Sequence, residues 1–321
     1  MVTGFALGVS ACVQAREQSA DYGGPLAYPA DFQGHVPFGI VEPIYDSYCP
    51  PPGWDRTKLD ALKEADFEIA DVAERQSFAK AITACLSGPG DPELRDGIAY
   101  DALSHMLRAK QLDDATKRAL LVDLEGRLQA NDPDGFGQPF AALALSEIAR
   151  ADRIEAFLTD DGRAKLLVEA QHWFINISDY RGFDDVEGWR HAVAHGSDLL
   201  MQLALNPKVD EEGLRVIVSA VGMQVAPEGH AYIDGESERL ARPILFAASR
   251  GAMSEQEWTE WLGALAMPKD PDKVIASEAG LAWRHDVLGF LQALYVNVMV
   301  GSDPKDDVLR PGLEAALKAM P

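Results

Sequence analysis

From about residue 71 onward, apolar residues recur every three to four positions, with polar residues between them. This is the spacing of one face of an α-helix. Val72, Phe78, Ile82 and Leu86 form one such stripe behind Asp71, which can cap the helix. Asp91-Pro92-Glu93 is a start signal, with cap, proline at the first helical position and acid in order. It opens a stripe of Ile98, Leu103, Met106 and Leu107. Asp113 or Asp114 precedes Leu120, Leu121, Leu124 and Leu128. Further helices are predicted over 137–150, 160–177, 187–205, 210–225 and 236–250, with a kink or restart at Pro243. Ser254 and Glu257 form a capping box, and 273–299 and 306–319 complete the set. No run alternates with period two between hairpin turns, so the expected fold is all-α with little or no sheet.

About a dozen helices joined by short loops suit either a bundle or a stacked array. An internal echo favours the array. Asp132-Pro133-Asp134-Gly135-Phe136 is matched 47 residues later by Asp179-Tyr180-Arg181-Gly182-Phe183. A weaker copy, Ile233-Asp234-Gly235-Glu236, follows 53 residues on. Helix-pair repeats of about 40–47 residues stack into superhelices. The expectation is a HEAT-like α–α superhelix over 55–321, with each glycine turning the same corner of its repeat.

The segments before residue 55 read differently. Val9-Ser10-Ala11-Cys12 resembles a bacterial lipobox, behind an apolar stretch too short for a full signal peptide. The reading is a clipped signal over 1–12 with lipidation at Cys12, against an untidy apolar start of a cytoplasmic protein. Residues 13–54 are rich in Gly and Pro and lack helical periodicity, as in a flexible tether. Export would place the chain in the periplasm or on the outer membrane and make Cys49 and Cys85 a natural disulfide pair. In a reducing compartment they would be two small buried residues.

Charge narrows the partners. The chain has 29 Lys and Arg against 51 Asp and Glu, a net charge of −22. Nucleic acid requires clustered cations to displace its counterions, so none is expected as a partner. Anionic lipid is disfavoured as well, leaving a lipid anchor as the route to a membrane.

The densest chemistry lies in 179–200. On a helix over 187–205, Glu187, His191, His195, Asp198 and Gln202 fall within roughly 80° of arc, opposite Trp189, Val193, Leu200 and Leu203. Histidines four apart on one face can present two nitrogens to a divalent metal such as zinc, with Asp198 as third ligand. The zincin pattern needs Glu after the first His, and Ala192 stands there. The same residues also suit a buried polar network. Asp179, Arg181, Asp184, Asp185 and Arg190 either pair to fix the preceding loop or line a binding surface. Tyr232, Glu236, Glu238 and Arg239 lie one repeat further on, with Glu238 and Arg239 placed to pair with Arg190 or Asp198.

Three stretches together resemble the bacterial domain-of-unknown-function family numbered 2785. They are Arg181-Gly182-Phe183 with Gly188–Leu200, Asp134-Gly135-Phe136 with Pro139–Leu143, and Gly235–Ala241. The resemblance covers roughly 55–300 and departs at Ser197, where a small apolar residue is expected. It implies a helical, repeat-like fold and carries no catalytic residues with it. Two functions remain. One is a binding or scaffold module of the cell envelope, taking a peptide, glycan or other envelope component. The other is a metal-dependent hydrolase built on His191, His195 and Asp198, with Glu187 or Glu238 as base.

Overall fold

Short polar side chains set where the helices begin. In the computed structural model, which describes residues 48–301 and 303–321, Asp71, Asp113, Thr159, Asp210 and Ser277 each accept a hydrogen bond from a backbone N–H in the first turn of the helix that follows. Ser254 and Glu257 close the expected capping box. Such caps satisfy donors that a helix start otherwise leaves open, each worth about 1 kcal/mol.

The described residues hold twelve α-helices. They are α1 (Arg56–Glu64), α2 (Val72–Ile82), α3 (Asp101–Arg108), α4 (Asp114–Gln129), α5 (Gly137–Ile154), α6 (Asp160–Ile175), α7 (Ala192–Leu205), α8 (Glu211–Gln224), α9 (Glu236–Ser249), α10 (Glu255–Leu265), α11 (Glu278–Val300) and α12 (Arg310–Ala319). A π-helical segment, Glu93–Tyr100, leads into α3. The only sheet among the described residues is a two-stranded hairpin, β1 (Phe183–Asp184) with β2 (Gly188–Trp189). The fold is therefore all-α. None of the described helices is long and apolar enough to cross a membrane.

The helices pack in two rows. In the first, α3, α5, α7, α9 and α11 lie side by side in that order. In the second, α2, α4, α6 and α8 do the same. Consecutive helices alternate between the rows from α4 to α9, so α4/α5, α6/α7 and α8/α9 form successive pairs. The core lies between the rows and includes Phe140, Ile148, Phe174, Leu199, Leu203 and Ile244. Gly196 permits the α6–α7 contact, because a Cβ there would stand 2.5 Å from the Phe174 ring. Helix α9 runs through Pro243 without restarting, and α7 begins at Ala192, five residues later than its stripe predicts.

Charged side chains tie neighbouring pairs together. Arg250, at the C-terminal cap of α9, donates to the carbonyls of Ala204, Asn206 and Val209, closing the end of α7. Arg215 of α8 pairs with Glu257 of α10 at 2.9 Å. Lys165 of α6 bonds Glu125 of α4 at 2.6 Å and Glu169 of its own helix at 2.7 Å. Burial and the neighbouring Glu169 carboxylate push the Glu125 carboxyl up from its ordinary 4.5 to about 7, so Glu125 holds its proton toward neutrality. The unfolded chain releases that proton above pH 4.5, whereas the folded chain keeps it until about pH 7. Stability from this site is thus present at low pH and declines as pH rises through that window. Glu125→Gln, whose amide can donate to Glu169 without a proton, should remove the decline. Its gain over wild type above pH 7 should be on the order of 2 kcal/mol. Urea unfolding at pH 5 and pH 8 measures it, and equal losses in the two proteins would refute the raised Glu125 carboxyl.

Cys49 and Cys85 form a disulfide, and Trp54 packs on Phe78 with ring centroids 4.6 Å apart. The last residues of the expected tether, 48–54, are therefore held on α2 and the 3-10 turn that follows it. Cys12, the signal-like segment and residues 13–47 lie outside the described residues.

Candidate functional site

The α6–α7 connection is a hairpin because its backbone leaves the helical region twice. Gly188 (φ +75°) and His191 (φ +59°) both adopt left-handed conformations, one of them ordinary for glycine and the other uncommon for histidine. Phe183 pairs with Trp189 and Asp184 with Gly188. The Asp184 carboxylate accepts from the N–H groups of Val186 and Glu187 at 2.8 and 2.9 Å, fixing the tip. Glu187 and Trp189 consequently sit on the hairpin and leave the helical stripe to which their spacing assigns them.

Three arginines hold the hairpin down. Arg95, fully buried in the π-helical segment, donates to the Glu187 carbonyl at 2.7 Å and the Gly88 carbonyl at 3.2 Å. Its guanidinium lies over the rings of Phe136 and Phe140, 4.1 and 5.0 Å from their centroids. Arg190 donates to the Asp134 carbonyl at 2.8 Å, pairs with Glu187 at 2.5 Å and also lies over the Phe136 ring, 4.2 Å from its centroid. Arg181 pairs with Asp179 at 2.5 Å and donates to the same Asp134 carbonyl at 3.2 Å.

The echoed turns are related through contacts, not through a shared backbone conformation. Gly135 and Gly235 adopt positive φ, whereas Gly182 does not. The expectation that Gly135 and Gly182 turn the same corner is corrected accordingly, since the inserted hairpin moves the left-handed turn to Gly188 and His191. What the two glycines do share is room for the next loop. A Cβ on Gly135 would meet the Asp179 carboxylate at 2.4 Å, and one on Gly182 would meet that of Asp234 at 1.7 Å.

The expected metal ligands do not converge, and no group of three or more His, Cys, Asp or Glu suited to a metal occurs among the described residues. His195 is buried against the edge of Phe140, and its Nδ1–H donates to the Pro139 carbonyl at 3.2 Å. Burial and the adjacent His191 hold it neutral, well below the ordinary imidazole range. Asp198 accepts from Arg239 of α9 at 2.8 Å, with Arg242 at 3.6 Å. Burial raises its carboxyl despite those arginines. Arg239 therefore makes the interhelical pair expected of it, while Glu238 is exposed. Helix α7 is buried over 192–200, so this stripe faces neighbouring helices and not an open groove.

His191 is the exception. Its ring stacks on Trp189 at 4.6 Å. Its Nε2 is buried without a hydrogen-bond partner, 3.8 Å from the Glu236 carboxylate. Burial lowers its pKa to about 4, so it is neutral near pH 7. Glu236 is itself buried and folds back to accept from the Asp234 N–H at 2.9 Å. Tyr232 is buried as well, its hydroxyl donating to the Gln224 carbonyl and its N–H to Asp286. Glu236 and Tyr232, expected on a groove, instead hold the 229–235 loop in place.

Periodicity does not reveal the exposed apolar set. Phe183 (53% exposed), Val186 (78%) and Trp189 (37%) stand out on the hairpin, and Ile233 (82%) on the adjoining loop. The rings of Phe183 and Trp189 lie 4.9 Å apart on one face. Their signal in the sequence is three apolar residues interleaved with Asp184, Asp185 and Glu187, a pattern that buries neither kind.

The model of the family described as "Protein of unknown function (DUF2785)" matches residues 120–296, more than half of the chain. The chain belongs to this family. The DUF2785 match runs from within α4 to near the end of α11 and so takes in the hairpin, the 229–235 loop and both rows around them. Comparisons with curated proteins and with solved structures give no match.

Proposed function

We propose that this protein is a binding module whose recognition surface is the 183–189 hairpin with the neighbouring 229–235 loop. The observation that carries this reading is an exposed aromatic pair, Phe183 and Trp189, on a hairpin pinned by the buried Arg95. A two-stranded hairpin is marginal in water on its own. Here buried charge is spent on keeping its apolar tip outside the core. Exposed apolar surface that is rigid before contact is the economical way to bind, because little ordering cost remains. The paired helices, read as a HEAT-like superhelix, would be the scaffold that spaces such loops along one edge. An exported, envelope-facing setting belongs to this reading and is supported by the Cys49–Cys85 bond. The metal-dependent hydrolase has less support, because Asp198 is taken up by Arg239 and Arg242.

A direct test compares wild type with the double variant Phe183→Ser/Val186→Ser on arrays of synthetic peptides and of neutral glycans. Both side chains are exposed, so folding should be unchanged, as checked by circular dichroism and thermal melting. The expected result is one class of array ligand retained by wild type and lost by the variant, a drop of about tenfold or more. Identical array profiles for the two proteins would overturn the reading.

A further inference from the structure

The charge around the hairpin says which ligand class it fits. Between residues 179 and 190 there are four acids and two arginines. Both arginines are already paired, Arg181 with Asp179 and Arg190 with Glu187. That leaves Asp184 and Asp185 exposed at the tip, between Phe183 and Val186 in sequence, with no ion pair of their own among the described residues. Asp134, exposed on the preceding loop, has its carbonyl held by Arg181 and Arg190 and adds a third carboxylate to the same edge. The surface that presents the aromatic rings thus carries more carboxylates than arginines.

We infer that the hairpin tip docks a polypeptide segment carrying lysine or arginine beside an aliphatic or aromatic side chain. This inference rests on the binding reading above and narrows it to one partner chemistry. The apolar side chain would lie against Phe183 and Trp189. The cation would meet Asp184 and Asp185 or the face of an exposed ring, an arrangement that favours arginine. An acidic peptide or an anionic lipid surface would be repelled by the same carboxylates. A neutral glycan could use the rings but would gain nothing from the charge.

The experiment is selection of a random twelve-residue phage-displayed peptide library on immobilised full-length protein. The Phe183→Ser/Val186→Ser variant serves as the counter-selection target. That variant keeps the net charge of −22, so peptides held by bulk electrostatics alone are subtracted. The expected outcome is enrichment of Lys or Arg within three positions of Leu, Ile, Phe or Trp. A selected peptide, synthesised and measured by fluorescence anisotropy, should bind Asp185→Lys about tenfold more weakly than wild type, with a shallower dependence on salt. Variant-sensitive peptides without basic residues, or an Asp185→Lys protein that binds equally well, would overturn the partner chemistry while leaving the hairpin as a binding surface. Selection that fails to discriminate wild type from the double variant would overturn both.

Discussion

Asp152→Asn should lower the free energy of unfolding by about 3–5 kcal/mol, the usual cost of breaking a buried ion pair from one side. Asp152 and Arg163 are both almost fully buried, and the arginine reaches the carboxylate through Nε at 2.7 Å and Nη2 at 3.2 Å. The same carboxylate accepts from the backbone N–H of Phe157 at 3.1 Å and of Leu158 at 2.9 Å. It also accepts from the Asn206 side-chain amide at 3.0 Å. One side chain thereby joins the end of α5, the turn into α6, the first turn of α6 and the α7–α8 loop. Asparagine keeps the shape but removes the buried charge, leaving the guanidinium only the exposed Asp160 carboxylate at 2.9 Å and the Leu158 carbonyl at 3.1 Å. Burial alone would raise the Asp152 carboxyl. The bonds from Arg163 and the two amides outweigh it and hold the carboxyl below its ordinary 3.8. Its contribution is therefore full above pH 3.8 and is lost as pH falls through the lower folded-state value. Urea melts at pH 7 measure the cost, and a loss under 1 kcal/mol would refute this account.

The second large effect is expected at Arg95. Arg95→Met preserves an unbranched stem against Phe136 and Phe140 but removes the donors to the Gly88 and Glu187 carbonyls. Loss of charge-assisted bonds at a buried site costs about 2–4 kcal/mol. The hairpin should loosen more than the rest of the molecule. Amide hydrogen exchange reads this locally, because the Arg190 N–H is bonded to the Gly182 carbonyl and the His191 N–H to that of Arg181. Both should exchange at least about tenfold faster in the variant. Unchanged exchange at these two amides, with protein still folded, would show that Arg95 supports the core and not the hairpin.

Most helices were legible from local chemistry, although α1, capped by Asp55, was not. Asp71, Asp113 (with Asp114 as the alternative) and Ser254 read correctly because a cap bonds its own first turn and needs no distant partner. The start of α7 misread for the opposite reason. Glu187, His191 and His195 keep a helical spacing, yet the left-handed turns at Gly188 and His191 are stabilised from outside, by Arg95, Arg190 and the Gly182 carbonyl. Nothing within five residues of Glu187 discloses that Arg95, 92 positions earlier, will bond its carbonyl. The stretch singled out, 179–200, does hold the left-handed turns at Gly188 and His191. Its roles were redistributed: His195 and Asp198 belong to the interior, whereas Phe183 and Val186 face water. A fully buried arginine such as Arg95 carries no mark in a sequence, because the same residue on a solvated face looks identical.

The Cys49–Cys85 bond also has a mechanical meaning. A pull applied from the N-terminal side enters the molecule at Cys49 and passes straight through the sulfurs to Cys85. Residues 50–84, including α1 and α2, hang off that load path as a closed loop. Roughly 120 Å of extended chain is thereby withheld from any stretching, and the first helices to feel tension are those after Cys85, beginning with the π-helical segment that holds Arg95.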